Sequence, residues 1–321
     1  SLNVQDLRLE EICYIIISKD DDVSRKISTY LKSNQESRVI IPFTYAELLG
    51  ISKTNDDEFI PNRLRQLFYQ RDLFDIQDAL KTDLYFFGRT DLIHEIVNKH
   101  LSSQNQGIFG LRKTGKTSIL YGVERVLNKK NSVSQFIDCQ TLHLYDWKEA
   151  LYFVISKLRE TCNVAKGKIH DHDEYKEGFA SELFKEDIYS IYRHNGKRCI
   201  LLIFDEIEHI TFETSVSPGW KDGEFFIKFW QVIRSAYQQL RKDNIFTYLI
   251  AGTNPHCVEL SRIGKVDNPL FEQFNPTFIE PFTSEHTTEM VQRLGGYMGL
   301  DFPQTICSHL VEDFGGHPLL I

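Results

Sequence analysis

The run GIFGLRKTGKTSIL, from Gly107 to Leu120, constrains the fold of this chain more than any other stretch. Gly110, Leu111, Arg112, Lys113, Thr114, Gly115, Lys116 and Thr117 fit the pattern G-x-x-x-x-G-K-[ST]. A surface loop would account for the cations, and a strand-to-helix turn for the glycines. A bound polyphosphate accounts for both. The glycines let backbone N–H groups turn inward around phosphate oxygens, and the helix that follows adds the positive end of its dipole. Lys116 can then reach β- and γ-phosphates, and the Thr117 hydroxyl can ligate Mg²⁺. Average residue usage makes a chance match roughly one in a hundred chains of this length. Context sharpens it. A short apolar strand precedes the turn, and Ile119, Leu120, Val123, Val126 and Leu127 follow at helical spacing. The phosphate-holding set is therefore Gly110, Arg112, Thr114, Gly115, Lys116, Thr117 and Ser118.

The rest of the chain agrees with a strand-to-helix turn of this kind. Strands are expected at Gly107–Gly110, Ser134–Cys139, Arg198–Phe204, Ile245–Ala251 and Thr277–Glu280. Helices fit between them at Thr117–Asn128, Asp146–Cys162, Ser181–Tyr192 and Glu224–Arg241. Apolar strands alternating with helices indicate an α/β fold whose parallel sheet is covered on both faces. The third strand, in CILLIFDEIEHI, delivers Asp205 and Glu206 to its C-terminal end, where open α/β sheets bind ligands. Asp205 is placed to hold Mg²⁺ with Thr117, and Glu206 to polarise an attacking water. The fourth, in IFTYLIAGTNP, ends in Asn254, a carboxamide that could hold the water or the γ-phosphate or simply form an Asn-Pro turn.

Other chemistry is excluded by what is missing. No run approaches eighteen apolar residues, and the opening SLNVQDLRLEE lacks a signal-peptide layout. Six scattered cysteines without a CxxC pair read as reduced thiols of a cytoplasmic protein. His170 and His172 sit at strand spacing without a third ligand, which disfavours a metal site there. With 37 basic against 45 acidic residues, the net charge of −8 argues against a strongly basic nucleic-acid footprint.

Ahead of this core, EICYIIIS, DDVSRKISTYLKSN and SRVIIPFTYAELL read as strand, helix, strand, and FIPNRLRQLFYQRDLFDIQDAL as a connector. The closing FGGHPLLI starts a further element, and with no initiator Met the natural chain is expected to extend at both ends.

In order, FFGR, GLRKTGKTS, LLIFDE, AGTNP, NPLFEQF and FGGHPLL make the chain resemble the AAA+-like P-loop ATPases. It resembles particularly the archaeal-type ATPases of the STAND class, which are related to origin-recognition ATPases. The resemblance covers about 84–321. It implies strand order 5-1-4-3-2, a nucleotide-binding core over 81–282 and the start of a helical lid over 283–321; 1–80 lies outside the match and looks like part of an upstream module plus connector. It also implies that Arg89 lies on the adenine side and that Pro318 packs on the base. His317 stands where many relatives carry a phosphate-sensing arginine, and Arg262 falls where AAA+ proteins supply an arginine finger to a neighbouring subunit.

The function implied is an ATP-binding and ATP-hydrolysing switch that cycles between ATP and ADP with Mg²⁺. Nucleotide state would change conformation or self-association, with effector and sensor modules upstream and downstream, in some such proteins for phage defence. The alternative is an initiator- or loader-type ATPase acting on DNA.

Overall fold

A computed structural model describes residues 13–33, 39–54, 58–68, 72–75, 79–80 and 85–321; the opening run SLNVQDLRLEE lies outside them. The chain divides into two compact units, one of Ser1–Asp78, Thr82–Phe87 and Phe282–Ile321, the other of Ala79–Lys81 and Gly88–Pro281.

The first unit begins with β1 (Cys13–Ser18), α1 (Val23–Ser33), β2 (Val39–Thr44), α2 (Tyr45–Thr54) and α3 (Phe59–Phe68). Strands β1 and β2 run parallel, with Cys13 opposite Val39 and Ser18 opposite Thr44. Val39, Ile41 and Phe43 are buried against Leu48, Phe59, Leu64 and Leu67. SRVIIPFTYAELL, read from the sequence as one strand, breaks at Thr44. A capping box is the reason: the Glu47 N–H donates to Thr44 Oγ1 at 3.1 Å, and the Thr44 N–H donates to Glu47 Oε2 at 2.8 Å. The spacing Thr-x-x-Glu was present in the sequence and marks the start of α2.

The second unit holds α4 (Thr90–Leu101), β3 (Gln106–Phe109), α5 (Lys116–Asn128), β4 (Ser132–Asp138), α6 (Cys139–Leu142), α7 (Trp147–Thr161), α8 (Ala180–His194) and β5 (Cys199–Asp205). It continues through α9 (Pro218–Lys221), α10 (Glu224–Leu240), β6 (Phe246–Gly252) and α11 (His256–Glu259) to a hairpin of β7 (Arg262–Ile263) and β8 (Val266–Asp267), and then β9 (Pro276–Phe278). The sheet order is β4-β5-β6-β3-β9, every pair parallel. Counted from β3 as the first strand this is 5-1-4-3-2, the order that the resemblance implies. Element ends fall within three residues of those expected, the usual scatter of helix and strand termini.

Burial explains why the strands are apolar throughout rather than alternating. Ile200, Leu201, Leu202, Ile203 and Phe204 of β5 are all fully buried, because helices cover both faces of the sheet. Phe204 lies edge-on to Phe229 and Trp230, and Trp220 donates its indole N–H to the Tyr145 carbonyl at 2.9 Å. The tryptophans are packing residues. His170 of the polar 163–180 segment places Nδ1 2.8 Å from the carboxylate of buried Asp187, which also accepts the Tyr175 hydroxyl at 2.7 Å. Its imidazole ties that segment to α8.

His100, at the end of α4, is fully buried with Nδ1 2.7 Å from Thr247 Oγ1. Desolvation pushes its pKa down to about 4, so the ring is neutral in the folded state at neutral pH. The sign follows from linkage. The unfolded chain takes up a proton below about 6.5 and the folded chain does not until about 4, so stability present above that window is lost as pH falls through it. The full shift corresponds to roughly 3 kcal/mol. Denaturant midpoints measured between pH 7 and 4 should fall less steeply in His100→Gln than in the wild type; parallel slopes would remove His100 from the account.

The first unit closes with α12 (Ser284–Tyr297) and α13 (Gln304–Phe314). Thr283 caps α12, its Oγ1 accepting the His286 N–H at 3.2 Å. After α13, Gly316 is left-handed at φ 73°, and the Phe282 N–H donates to its carbonyl at 2.8 Å. A Cβ there would lie 2.2 Å from the Phe282 carbonyl oxygen, so only glycine allows the two backbones to meet.

Among the described residues, no helix is long and apolar enough to cross a membrane. All six cysteines are free.

Candidate active site

Parallel pairing brings the C-terminal ends of the strands to one edge of the sheet. Phe109 stands opposite Gly252 and Phe278, and Asp138 opposite Asp205. The loops leaving β3, β4, β5 and β6 therefore converge, and they carry most of the residues singled out from the sequence.

The loop after β3 turns on two left-handed residues, Lys113 at φ 61° and Gly115 at φ 90°. Alternation of this kind aims successive N–H groups at one concavity. The space where a Gly115 Cβ would stand is open. Helix α5 makes its first backbone bond from the Ile119 N–H to the Gly115 carbonyl at 3.0 Å, so the amides of Lys116, Thr117 and Ser118 point out of the helix end. The loop braces itself, the Thr114 hydroxyl donating to the Leu111 carbonyl at 2.8 Å. Lys116 Nζ bridges the loop mouth, donating to the Gly110 carbonyl at 2.8 Å and to that of Leu111 at 2.7 Å. Burial pushes the Lys116 ammonium below the ordinary lysine range, and the carboxylates of Glu208, Asp205 and Glu206 oppose the shift.

Thr117 and Asp205 meet across the gap between α5 and β5, with Thr117 Oγ1 donating to Asp205 Oδ2 at 3.1 Å. The other Asp205 oxygen accepts the Glu206 N–H at 3.0 Å. Burial raises the Asp205 pKa, since a partly desolvated carboxylate favours the proton, and these two hydrogen bonds oppose the rise. A hydroxyl and a poorly solvated carboxylate 3.1 Å apart form a hard-oxygen donor pair that suits a divalent cation.

Glu206 adopts φ 54°, ψ 48°, a left-handed backbone that costs an ordinary residue roughly 1 kcal/mol. The strain turns the chain sharply out of β5 and leaves the Glu206 side chain 45% exposed at the sheet edge. Its Oε2 accepts from Gln140 Nε2 of α6. Asp138 caps that short helix, accepting the Gln140 N–H at 2.8 Å. Glu208 reaches the tip of β6, where its Oε2 accepts the Thr253 N–H at 3.3 Å.

Lys116, Thr117, Asp205 and Glu206 thus form one cluster. Several other candidates are engaged elsewhere. Ser118 is buried, and its hydroxyl oxygen accepts the Leu80 N–H at 2.9 Å. The Arg89 guanidinium is buried and donates to the Glu280 carbonyl, tying the start of α4 to the chain after β9. Asn254 is exposed, and its Oδ1 accepts the His256 N–H at 3.0 Å, which is the turn-forming use of an Asn-Pro pair. Arg112 is exposed on the loop. Arg262 stands on the β7–β8 hairpin, 69% exposed and paired with Asp267 at 3.1 Å. Pro318 belongs to the other unit, in the turn after α13.

Three residues at the site were not anticipated from sequence: Gln140, Glu208 and His209. Gln140 was discoverable, because the implied strand order puts the end of the second strand beside the acidic pair. Glu208 repeats the acidic character of DEIE three residues after Asp205.

No protein-family model matches this sequence, and no curated protein matches it. Solved structures do match. The Walker-type ATPase of Pyrococcus abyssi is 21% identical with a TM-score of 0.51, over 78% of this chain and 70% of that one. The ORC1 protein of Aeropyrum pernix, solved in complex with DNA, is 14% identical with a TM-score of 0.45, over 77% of this chain and 60% of that one. AMPPCP-bound DnaA from Aquifex aeolicus is 16% identical with a TM-score of 0.42, over 74% of this chain and 62% of that one. The likeness to the Pyrococcus protein is one of fold, a parallel five-stranded sheet flanked by helices.

Proposed function

We propose that this chain binds ATP with Mg²⁺ at the loop between β3 and α5 and hydrolyses it, as a switch of the STAND or AAA+ kind. The observation that carries the reading is the convergence of Lys116, Thr117, Asp205 and Glu206 at one sheet edge. Backbone amides from Arg112 to Ser118 surround the phosphates, and Lys116 leaves its loop carbonyls to balance charge on the β- and γ-groups. Thr117 and Asp205 would hold a Mg²⁺, which would supply positive charge against the charge developing on the phosphates. Glu206 orients a water for attack on the γ-phosphorus. The new P–O bond forms as the β–γ bridge breaks, the water proton passes to the carboxylate, and ADP leaves. Calorimetric titration with ATP and an assay of phosphate release test the reading. A folded protein that neither binds ATP nor releases phosphate would overturn it.

Asp205→Asn separates structure from ligation. A raised folded pKa makes the ionised Asp205 a cost at neutral pH: its contribution to stability is full below the ordinary carboxylate value and is lost as pH rises through the raised one. The neutral variant should therefore melt higher than wild type without nucleotide, by about 2–4 °C per kcal/mol relieved. It should also lose the further rise that Mg²⁺ gives over ATP alone. An undiminished Mg²⁺ effect in Asp205→Asn would exclude this carboxylate as a ligand.

Nucleotide state is read out through self-association, and Arg262, exposed on its hairpin, is the finger offered to a second copy. Mixing Lys116→Ala with Arg262→Ala protein should restore activity, since one mixed interface pairs an intact pocket with an intact arginine. Full activity of Arg262→Ala alone would end that assignment.

A further inference from the structure

His209 has no part in the reading above, yet its ring lies beside the residue on which hydrolysis depends. A 3₁₀ turn, Ile207–Ile210, follows β5 with Glu206 at its start, and the His209 N–H donates to the Glu206 carbonyl at 3.1 Å. Three residues per turn eclipse positions i and i+3, so the two side chains share one face. His209 Nε2 comes to 3.6 Å from Glu206 Oε2, the oxygen that also accepts from Gln140. Glu206 Oε1 has no protein partner among the described residues.

The ring of His209 is itself backed. The His143 ring lies 5.9 Å away between centroids and tilted by 33°. His143 leaves the end of α6 with its backbone held at both polar atoms: its N–H donates to the Cys139 carbonyl at 3.1 Å, and its carbonyl accepts the Ser217 hydroxyl at 2.8 Å. The tip of β4 therefore reaches the Glu206 carboxylate by two routes, directly through Gln140 and indirectly through His143 and His209.

We infer that His209 is a positioning residue for Glu206: with His143 behind it and Gln140 beside it, its Nε2 fixes Oε2, leaving Oε1 for the attacking water. The inference rests on the hydrolytic reading of this site. A half-exposed i,i+3 pair is usually worth little by itself. Here the contact falls on a carboxylate whose backbone is already held in the left-handed region, and aim matters more than affinity. Misplacing a reacting group by about 1 Å can cost about 100-fold in rate.

The test compares wild type, His209→Ala and His209→Gln for ATP affinity by calorimetry and for kcat and KM by phosphate release. His209→Ala should lower kcat roughly 10- to 100-fold with ATP affinity and KM unchanged. His209→Gln, whose amide nitrogen can reach Oε2, should recover most of that loss. In a Glu206→Gln background, under single-turnover conditions, His209→Ala should add no further loss, because the carboxylate it positions is gone.

Wild-type kcat in His209→Ala overturns the inference and leaves the ATPase reading standing. So does a loss that Gln does not recover, or one that persists in full in the Glu206→Gln background, since packing damage would behave that way. A wild-type protein that binds ATP without releasing phosphate overturns the inference together with the hydrolytic half of the reading.

Discussion

Glu206→Gln should bind ATP as tightly as wild type and hydrolyse it some 100- to 1,000-fold more slowly. The carboxamide has nearly the shape of the carboxylate and can keep its place beside Gln140. It fits the same left-handed backbone as well as glutamate does. What it loses is the negative charge and the basicity that draw a proton from water as the new P–O bond forms. Affinity should be spared because the phosphate contacts proposed here are Lys116 and the loop amides, which Glu206 does not touch by any hydrogen bond. The measurement is phosphate release under single turnover, paired with calorimetry. Turnover at the wild-type rate would make Glu206 a bystander and shift attention to Glu208, the next carboxylate along the same turn. A loss of affinity equal to the loss of rate would mean that the substitution disturbs the pocket and not the water.

The parts of this molecule legible in the sequence are those where one local pattern has one physical reading. Strand β5 must be buried on both faces because five consecutive apolar residues cannot alternate, and the acidic pair after it must stand at the sheet edge. The loop from Gly110 to Thr117 is a strand-to-helix turn, as its glycines and the helical spacing after it indicate, and it turns on left-handed Lys113 and Gly115. Strand order itself came from resemblance, since nothing local in the sequence orders five parallel strands. Parallel partners are non-local, and their register depends on packing that no single segment contains.

The less legible parts depend on competition for a side chain. Ser118 follows the lysine and threonine of the motif, but whether its hydroxyl faces a phosphate or the Leu80 amide is decided by a connector 38 residues away in sequence. Asn254 could as well turn a corner as face the site, and its Oδ1 turns the corner. The stretch PHCVELSRIGKVDNPLF reads as a short helix followed by a loop, and Arg262 stands instead on a hairpin. Its Gly264, left-handed at φ 60°, builds a hairpin too short to show any period. His209 was invisible for a related reason. Its proximity to Glu206 comes from a 3₁₀ turn, which an extended reading of DEIEHI does not suggest.

Lys116→Ala should cost a few kcal/mol of ATP binding, about 100-fold or more in Kd, while the fold survives. The folded state loses little. Lys116 Nζ donates to two backbone carbonyls at the loop mouth, and the loop keeps its Thr114–Leu111 bond and its two left-handed residues without it. Burial has already pushed the ammonium below its ordinary pKa, so the charge is held there against a desolvation cost, and removing it relieves that cost. The bound state loses much more. The β- and γ-phosphates would face Glu208, Asp205 and Glu206 with no side-chain cation between, and like charges brought together in a half-dry cleft repel. Lys116→Arg should rescue poorly, because a planar guanidinium fork cannot fold back over the Gly110 and Leu111 carbonyls as a compact ammonium does. Calorimetry on protein whose circular dichroism and melting curve match wild type decides the matter. Unchanged ATP affinity in such a folded Lys116→Ala protein would remove the phosphate-binding assignment, and with it the roles given to Thr117, Asp205 and Glu206.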